Sequence, residues 1–516
     1  MKFFTAISAV LIGLASCHHD GGRDWPSHNG DITGQRAVFD KKGINKHNVH
    51  TLEPVWQRTL NGSITATPVV VDGKIYVPDF GGAFTCLRES DGTIIWQIKV
   101  SDATGVPFSA ARASAAVSQG IVVIGDNANE SQGIAIGHGI VMGFDANTGA
   151  LLWKTVVDDH PAAIITQSPL IEKDYVYIGV SSNEEANAAF IPNYPCCDFV
   201  GKFLALNLHT GAIIWQVPMI PADIAGVGKY SGSAIWGSAP SIDGDGVLFA
   251  VGNLYDVPAE VEEAEANRQP GDPSVIDPRV IFNAMVKLNK KTGKLIWKFL
   301  ADKYDAWTVS CIVPSNPQNC PTVPGPDADF GQSPMITRNM AICGQKSGVM
   351  WSRNKNTGNA IWSVATAPGG TVGGHQWGSS LLDDGCDFYV FGTNVNSNKL
   401  NFTLQDGTVY NGSFWTGING RTGEIVWETV NPRGPGPMLY STTTVSNDIV
   451  FGSTLDSNGL MLAMDAKTGE ILWQFTSNGG VASGPSIVGN RVYWGNGYTR
   501  IFGSFPGSTL YAFETN

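Results

Sequence analysis

The sequence predicts an all-β protein, an eight-bladed β-propeller whose ring is closed by an N-terminal strand. Three observations lead to this prediction. The 516 residues include 61 Gly and 28 Pro, a content typical of many tight turns between strands. A short motif of turn, apolar residues and Trp occurs seven times along the chain. An eighth Trp, Trp56, precedes these copies and has no turn before it.

Each copy of the motif is a Thr-Gly or Asp-Gly turn, then two or three apolar residues, then Trp. A repeat of this kind predicts a four-stranded blade whose apolar faces only neighbouring blades can cover. We expect the Gly of each turn to take positive φ. We expect the Trp side chains to pack between blades and to be structural; they are Trp56, Trp96, Trp153, Trp215, Trp297, Trp362, Trp427 and Trp473.

The two ends of the repeat region complement each other. The chain ends on STLYAFETN, a strand without a turn or Trp after it, and EPVWQRTL near the N-terminus is a strand without a turn before it. We therefore predict a propeller over residues 52–516, preceded by an N-terminal segment over residues 18–51. Successive Trp lie 40 to 82 residues apart, and the longest spacings mark insertions in the middle blades. Function is expected on the loops of blades three to five.

Composition excludes several classes of protein. The chain is 43% hydrophobic and 15% charged, which suits a large core and argues against disorder. Its net charge of −12 argues against a nucleic-acid partner, which a basic patch would normally mark. After the first residues, no stretch reaches the roughly 18 apolar residues that a membrane-spanning helix needs.

The first 17 residues, MKFFTAISAVLIGLASC, contain one Lys, an apolar run and then small residues. This order is typical of a secretory signal peptide. The end of the stretch, LASC, is equally typical of a bacterial lipoprotein signal, which would place a lipid on Cys17. Both alternatives predict an exported protein, secreted or periplasmic, and the second adds a lipid anchor.

Export permits disulfides. Cys311 and Cys320 bracket the loop CIVPSNPQNC and are predicted to pair. Cys343 and Cys386 form a second, weaker predicted pair. Cys86 lies in an apolar strand pattern and is predicted to be a free, buried thiol.

Cys196 and Cys197 are neighbours in the stretch YPCCDF. Consecutive Cα atoms lie about 3.8 Å apart, closer than the roughly 4.4–6.8 Å of an ordinary disulfide. Three alternatives remain open from the residues alone: an eight-membered disulfide ring, two free thiols, or two separate disulfides with other cysteines.

The turn pattern D/N-x-x-T-G-x-x-x-W on eight blades resembles the pyrroloquinoline quinone (PQQ) propeller repeat. Non-enzymatic scaffolds share that repeat. The stretches between the repeats are more specific: IGVSSNEE, YPCCDF, AIWGSAPSID, GPDADFGQSP and CGQKSGVMW are similar to those of polyvinyl-alcohol-dehydrogenase-like quinoproteins. The resemblance implies a PQQ- and Ca²⁺-dependent dehydrogenase that oxidises a secondary or polymeric alcohol to a carbonyl compound.

The resemblance also implies a metal site. Glu185, in SSNEE, and Asn253, in AVGN, match the metal-binding residues of the family, and both offer the hard oxygen ligands that Ca²⁺ prefers. Glu184 competes with Glu185, because alternation along a strand would turn only one of the two towards the channel.

For the cofactor, the resemblance implies a planar tricarboxylate held by stacking and by cations. Trp236 lies outside the register of the repeat and matches the stacking indole of the family. Arg112 is a lone cation in a run of small residues and suits a carboxylate. Lys346 matches a basic residue that reaches the quinone oxygens. A ring formed by Cys196 and Cys197 would cover the second face of the cofactor.

The predicted catalytic base is Asp305, in YDAW, which would accept the hydroxyl proton of the alcohol. The sequence departs here from the methanol-dehydrogenase-like pattern, in which an Asp directly follows the Trp. Asp327 and Asp329, in GPDADFG, are alternative carboxylates and are expected to cap a loop. His375 is a further candidate base or cavity wall.

The sequence contains no C-x-x-C-H motif, so we expect no covalent haem in this chain and an external electron acceptor such as a cytochrome c. The alternative function is a non-catalytic propeller of the same repeat that acts as a binding or assembly scaffold. LASC keeps that alternative open, whereas Glu185, Asn253, Trp236 and the cysteine pair weigh against it.

Overall fold

The structure is a computed structural model that describes residues 24–127, 138–313, 315–499 and 505–516. Along these residues, eight antiparallel blades follow one another, each built on four strands. The prediction of an all-β, eight-bladed propeller is confirmed. The predicted signal peptide, including Cys17, lies outside the described residues.

The first four blades hold the first half of the chain, and in each of them the chain passes from the inner strand to the outer strand. Blade 1 contains Val69–Val71, Lys74–Pro78, Ala83–Arg88 and Ile94–Lys99, and blade 2 contains Ala116–Ser118, Ile121–Gly125, Gly139–Asp145 and Leu151–Asp158. Blade 3 contains Leu170–Glu172, Tyr175–Ser182, Lys202–Asn207 and Ile213–Pro218, and blade 4 contains Ser241–Asp243, Gly246–Val251, Ala284–Asn289 and Leu295–Leu300.

The last four blades continue the same inner-to-outer order. Blade 5 contains Met335–Thr337, Met340–Gly344, Val349–Asn354 and Ala360–Ala365, and blade 6 contains Ser380–Asp383, Phe388–Asn394, Phe414–Asn419 and Ile425–Val430. Blade 7 contains Thr444–Ser446, Ile449–Ser453, Leu460–Asp465 and Ile471–Thr476, and blade 8 contains Ser486–Val488, Arg491–Gly495, Thr509–Glu514 and Glu53–Thr59.

The outer strand of blade 8 comes from the N-terminal part of the chain. Glu53–Thr59 pairs antiparallel with Thr509–Glu514, with Glu53 opposite Glu514 and Thr59 opposite Thr509. The predicted closure by an N-terminal strand is therefore confirmed. It joins the two ends of the chain in one blade and so closes the ring.

The eight Trp of the repeat join each blade to the next. Each indole Nε1 donates a hydrogen bond to a backbone carbonyl of the following blade, at 2.7–3.2 Å. The bond from Trp473 to Leu52 and the bond from Trp56 to Glu89 complete the circle through blade 8. These contacts confirm that the repeat Trp are structural.

The conformation of the repeated turn explains why it contains Asp or Asn, Thr and Gly. Blade 2 provides an example. Oδ1 of Asp145 accepts the backbone N–H of Asn147 at 3.0 Å and of Thr148 at 2.8 Å, an Asx-type turn. Gly149 then takes φ +72°, and an added Cβ would lie 2.8 Å from the ring of Trp96 in blade 1. The glycine is thus required by both backbone conformation and packing.

Within the described residues, three α-helices and three 3₁₀ helices lie in the connections between strands. The α-helices are α1 (Val100–Thr104), α2 (Glu184–Phe190) and α3 (Ala259–Asn267), and the 3₁₀ helices are Val49–Thr51, Val309–Cys311 and Pro317–Asn319. Among the described residues, no helix combines the length and the apolarity that crossing a membrane requires. Short additional strands are Ala37–Val38, Ala163–Ile164, Ser231–Gly232, Leu254–Asp256, Phe402–Thr403 and Val409–Tyr410.

Residues 25–38 of the N-terminal segment run along the inner strands of six blades. Trp25 exchanges two backbone hydrogen bonds with Val70 of blade 1. Further along the segment, backbone carbonyls accept N–H groups from blades 2, 4, 5, 6 and 7; the donors are Val117, Ile242, Ile336, Leu381, Val445 and Asn447. The segment therefore ties most of the ring together at the channel.

Arg36 anchors this segment between blades 7 and 8. Its side chain is only 1% exposed and donates to the carbonyls of Thr443 and Pro485, each at 2.9 Å, and to Oγ1 of Thr444 at 2.8 Å. Its guanidinium lies 5.4 Å from the centre of the Trp25 ring. Burial lowers the pKa of Arg36 to about 9, so the guanidinium stays charged at neutral pH and its hydrogen bonds stay charge-assisted.

The predicted disulfide between Cys311 and Cys320 is confirmed, and Cys86 is free and buried, as predicted. The predicted pair of Cys343 and Cys386 is wrong. Cys343 lies on a strand of blade 5 inside the hydrophobic core, whereas Cys386 is exposed in a turn of blade 6. A thiol inside the core and a thiol on a surface turn cannot come within bonding distance without a rearrangement of the blade.

Candidate functional site

A cavity of about 590 Å³ lies among the loops at one end of the propeller channel. Its size falls within the roughly 300–1,000 Å³ that cofactor and ligand sites occupy. The structure brings five predicted site residues together in its wall: Arg112, Glu185, Trp236, Asn253 and Lys346.

Two indoles and two cations form one part of this wall. The rings of Trp236 and Trp377 meet edge to face, with centroids 5.2 Å apart. Nζ of Lys346 lies 5.2 Å from the centroid of Trp236, and the guanidinium of Arg112 lies 5.0 Å from that of Trp377. Trp236 is held against glycine backbone, because a Cβ on Gly331 would lie 2.4 Å from its ring. Aromatic faces beside cations suit a planar, anionic ligand.

Lys346 is the centre of the charged part of the wall. Nζ donates to Oδ1 of Asp327 at 2.8 Å and to Oδ2 of Asp329 at 2.7 Å. Burial alone would lower the pKa of Lys346, but the negative charges of Asp327, Asp329 and Glu185 outweigh it and raise that pKa above its ordinary value. The lysine is therefore a fixed positive charge in the cavity.

Glu185 lies in the first turn of α2 and borders the cavity. Its Oε1 is buried and has no hydrogen-bond partner among the described residues. Burial raises its pKa to about 8; Lys346 opposes this shift, and Asp329 and Asp305 add to it. A buried carboxylate oxygen without a donor is costly in free energy, so this oxygen is suited to a cation.

Glu184 faces the opposite way. It is fully buried and accepts the backbone N–H of Asp198 at 3.0 Å and of Phe199 at 2.9 Å, and the hydroxyl of Tyr194 at 3.2 Å. The two glutamates begin a helix, whereas alternation along a strand was expected. Helical geometry still separates them, since successive residues project about 100° apart.

Asn253 lines the cavity, and backbone carbonyls hold its side-chain amide. Nδ2 donates to the carbonyls of Leu254 and Trp307, each at 2.9 Å. Its backbone N–H donates to Oδ1 of Asp329. The amide is thereby locked in one orientation.

These groups fit a hard cation. Oε1 of Glu185 is buried without a partner in the described part of the chain, and the side chain of Asn253 adds a neutral amide oxygen. Oδ2 of Asp327 is also buried without a partner there, but it is a candidate proton acceptor and is not counted as a ligand. Burial also raises the pKa of Asp327 well above its ordinary value, with Lys346 opposing and Asp329 adding to the shift. An all-oxygen donor set with net negative charge is what Ca²⁺ prefers.

Asp305 is not among the described residues that line the cavity. It is fully buried and accepts the backbone N–H of Asp327 at 3.0 Å and of Ala328 at 2.7 Å, and Nδ2 of Asn283 at 2.6 Å. It therefore caps the loop on which the alternative carboxylates stand. The sequence had predicted Asp305 as the base and Asp327 and Asp329 as residues that cap a loop.

His375 also lies outside the cavity wall, as far as the described residues define it. It is fully buried, its Nε2 lies 2.8 Å from Oγ1 of Thr366, and its Nδ1 lies 3.2 Å from the carbonyl of Thr393. Burial lowers its pKa to about 4. These features describe a neutral, hydrogen-bonded core histidine.

Cys196 and Cys197 are joined by a disulfide, which settles the alternatives left open by the residues. Neither cysteine is found among the described residues of the cavity wall. Cys197 packs in the hydrophobic core of blade 3 beside Phe199, on the loop that Glu184 holds. The cavity wall instead contains a second indole, that of Trp377.

Sequence reasoning missed Trp377 and assigned Asp327 and Asp329 another role. Trp377 carries the same signal that identified Trp236, because it is a Trp outside the register of the repeat. Of the fifteen Trp in the chain, seven lie outside that register, and three of these line the cavity: Trp236, Trp307 and Trp377.

A smaller cavity of about 50 Å³ lies beside the large one. The two share Arg112, Thr166, Trp377 and Tyr498 in their walls. His28, from the N-terminal segment, lines the smaller cavity and has its Nδ1 3.1 Å from Oγ of Ser114. The N-terminal segment therefore closes the channel next to the candidate site.

Comparison with known proteins gives the family. The sequence profile of the PQQ_2 family, described as outer membrane protein assembly factor BamB, matches residues 46–193, 201–436 and 411–515. The chain belongs to the PQQ_2 family.

Among its relatives are proteins with dehydrogenase names, so the predicted resemblance is confirmed. The chain is 27% identical to a polyvinylalcohol dehydrogenase from Pseudomonas sp., over 92% of this chain and 73% of that protein. It is 27% identical to a polyvinylalcohol dehydrogenase from Sphingopyxis sp. (strain 113P3), over 89% and 70%. It is 23% identical to quinohemoprotein alcohol dehydrogenase ADH IIB from Pseudomonas putida, over 93% and 74%.

Solved structures of similar proteins show the same fold. Quinohemoprotein alcohol dehydrogenase from Comamonas testosteroni has a TM-score of 0.68 at 19% identity, covering 95% of this chain and 80% of that one. A europium-containing methanol dehydrogenase has a TM-score of 0.67 at 18% identity, covering 95% and 98%. BamB from Moraxella catarrhalis has a TM-score of 0.54 at 14% identity, covering 90% and 99%.

Proposed function

We propose that the chain is a quinoprotein dehydrogenase that uses PQQ and Ca²⁺ to oxidise an alcohol to a carbonyl compound. The observation that carries the proposal is the meeting of five predicted residues in one cavity wall. Cations beside indoles suit a planar tricarboxylate, and the buried oxygen of Glu185, which has no partner among the described residues, suits a metal ion. The dehydrogenase names of the relatives support the same activity.

Each residue of the wall has a part in this proposal. Trp236 offers a stacking face, and Arg112 and Lys346 bind anionic oxygens of the cofactor. Glu185 and Asn253 hold the cation. A quinone held by these residues would supply the hydride acceptor for the alcohol carbon, and a cation held by Glu185 and Asn253 would supply Lewis acidity.

We propose Asp327, in place of Asp305, as the group that accepts the hydroxyl proton. Its Oδ2 is buried and unpaired among the described residues, and Lys346 fixes its Oδ1. Asp327 would thus take the hydroxyl proton of the alcohol, and a bound cofactor would supply the acceptor for the hydride, and so for the two electrons, of the alcohol carbon. The two electrons then leave to an external acceptor such as a cytochrome c, and Asp305 holds the loop in place.

The test is to supply the purified protein with PQQ and Ca²⁺. We expect quinone absorbance to remain after dialysis and a dye-linked assay to detect oxidation of alcohols. Protein that retains no quinone and shows no thermal shift with PQQ would disprove the dehydrogenase and favour a scaffold of the same fold.

Asp327→Asn tests the proton acceptor. We expect kcat to fall by about 10²–10⁴-fold while quinone is retained. The matched control is Asp102→Asn, an exposed carboxylate on α1, which should leave kcat unchanged. A loss of kcat confined to Asp305→Asn, with Asp327→Asn active, would restore Asp305 as the base.

Export is part of the same proposal. A secreted or periplasmic enzyme is consistent with the signal-like first residues and with two disulfides in the fold. Fractionation of the host, with detection of the mature N-terminus by mass spectrometry, separates plain cleavage from lipidation of Cys17.

A further inference from the structure

We propose that residues 307–313 and 315–320, which we call the bridging segment, set the distance between the two proposed metal ligands, Glu185 and Asn253. The inference rests on the proposed function, because it concerns the cation site of that function. It adds the part of the chain that determines how tightly this site holds Ca²⁺.

The two ligands come from different blades. Glu185 lies in the first turn of α2, which follows a strand of blade 3, and Asn253 follows a strand of blade 4. Ca²⁺ binds about six to eight oxygen atoms at roughly 2.3–2.6 Å. Side chains from two blades can therefore share one ion tightly only if the distance between them is fixed.

The helix that carries Glu185 is too short to fix its own position. α2 has seven residues, Glu184–Phe190, and the side chain of its N-cap residue, Asn183, makes no capping hydrogen bond. Isolated helices of this length are not stable in water, and the last carbonyls of a helix have no partner within it. The place of Glu185 is therefore decided by the groups that α2 contacts.

The bridging segment provides partners for the end of α2. Nδ2 of Asn316 donates to the carbonyls of Ala188 at 3.1 Å and of Ile191 at 2.8 Å. Nδ2 of Asn319 also donates to the carbonyl of Ala188, at 2.9 Å. Asn316 is only 6% exposed, so water competes little for its hydrogen bonds. These two amides cap the helix from outside, and we infer that they are positioning residues for Glu185.

The same segment also holds Asn253. Nδ2 of Asn253 donates to the carbonyl of Trp307 at 2.9 Å. Oγ1 of the next residue, Thr308, donates to the carbonyl of Asn319 at 2.8 Å, and Asn319 binds α2. A continuous series of covalent and hydrogen bonds thus runs from one proposed ligand to the helix that carries the other.

The disulfide between Cys311 and Cys320 closes the bridging segment. It joins the part that binds Asn253, at Trp307, to the part that binds α2. The segment is therefore ordered before an ion arrives, and binding does not need to order it. Groups that orient metal ligands typically contribute about 10–100-fold to metal affinity.

The experiment measures binding of Ca²⁺ by calorimetry. The protein is stripped of Ca²⁺, supplied with PQQ and kept free of alcohol, so the measurement does not depend on turnover. In Asn316→Ala we expect the Kd for Ca²⁺ to rise by about 10–100-fold. Asn319→Ala and Cys311→Ser/Cys320→Ser interrupt the same series of bonds and should raise the Kd as well; they provide the measurement if Asn316→Ala does not fold.

Asn447→Ala is the matched control. Nδ2 of Asn447 also donates to two backbone carbonyls, those of Asp40 and Ile44, each at 2.8 Å. It lies in blade 7 and is not among the described residues of the cavity wall. We expect both asparagine variants to lower the melting temperature of the Ca²⁺-free protein, and only Asn316→Ala to change the Kd.

The outcomes separate this inference from the proposed function. If the folded variants bind Ca²⁺ as tightly as the wild-type protein, the inference is overturned and the dehydrogenase stands. If the Kd rises as expected but the wild-type protein oxidises no alcohol, the inference stands and the dehydrogenase fails. An equal rise of Kd in Asn447→Ala would overturn the inference, because general loss of stability would then account for it. A wild-type protein that binds no Ca²⁺ would overturn both.

Discussion

At the scale of single residues, two adjacent glutamates have different roles: Glu184 holds a loop and Glu185 borders the candidate site. Glu185 leaves a buried oxygen unpaired at the cavity, while Glu184 uses both of its oxygens on the loop that carries the Cys196–Cys197 disulfide. The same side chain thus meets opposite environments one residue apart. This pair provides an internal comparison for the proposed metal site.

Glu185→Gln should raise the Ca²⁺ concentration needed for half-maximal activity by at least about tenfold, because a neutral amide oxygen is a weaker ligand than a carboxylate. Glu184→Gln should leave that concentration unchanged and instead lower the free energy of unfolding by about 1–2 kcal/mol through its weakened hydrogen bonds. Calcium titration of activity and urea unfolding measure the two effects. The reverse pattern would assign the metal to Glu184.

The residues that the sequence located correctly in the cavity wall share one property: they stand outside the repeat. Trp236, Glu185 and Asn253 interrupt a pattern that the blades repeat, so their positions stood out. Which of Asp305 and Asp327 lines the cavity could not be predicted in this way. It depends on the backbone at Asp327, which takes φ +58° and turns that side chain away from the loop and towards Lys346.

At the scale of the elements, the turn glycine is the point at which one blade meets the next. Gly149 and Gly120 both belong to blade 2 and have almost the same φ, +72° and +74°. A Cβ on Gly149 would lie 2.8 Å from the ring of Trp96, whereas a Cβ on Gly120 would meet nothing within 4 Å. The two differ only in contact with the neighbouring blade.

Gly120→Ala should lower the free energy of unfolding by about 1–2 kcal/mol, the cost of a left-handed backbone for a residue with Cβ. Gly149→Ala should lower it by at least about 1 kcal/mol more, because the ring of Trp96 must also move. Urea unfolding of the two variants under the same conditions gives the difference. Equal losses would show that the turn, and not the contact between blades, requires the glycine.

The blades were the part of the fold that the sequence predicted best. The Asx turn, the positive-φ glycine and the Trp are all local to a few residues, so they can be read without knowledge of the neighbours. The predicted Cys343–Cys386 disulfide failed for the opposite reason. The distance between the two sulfur atoms depends on how blade 5 and blade 6 are placed relative to each other. The spacing of the cysteines along the chain does not give that placement.

At the scale of the whole molecule, the ring has two closures. One is the outer strand of blade 8, which the unpaired ends of the repeat predicted. The other is the N-terminal segment, whose backbone bonds six inner strands. The local sequence of residues 25–38 does not predict that they run across the inner strands. Their hydrogen bonds are made by backbone groups, to strands that lie far away along the chain.

Arg36→Met tests the contribution of this second closure. The variant leaves the carbonyls of Thr443 and His28 without the donor that Arg36 provides, and we expect the free energy of unfolding to fall by about 3 kcal/mol or more. The control, Arg421→Met, changes an exposed arginine and should stay within about 0.5 kcal/mol. An equally small effect in Arg36→Met would mean that the segment lies on the ring without stabilising it.

The N-terminal segment also imposes an order on the assembly of the molecule. Its residues are synthesised before any blade, while Thr443, Thr444 and Pro485, which bind Arg36, are synthesised only near the end of the chain. At the usual pace of translation, roughly 5–20 residues per second, the arginine waits on the order of half a minute for its partners. A chain that stops short of blade 8 leaves this guanidinium without Pro485 and leaves Glu53–Thr59 without the strand it pairs with. Completion of the ring is therefore sensed by residues that precede every blade.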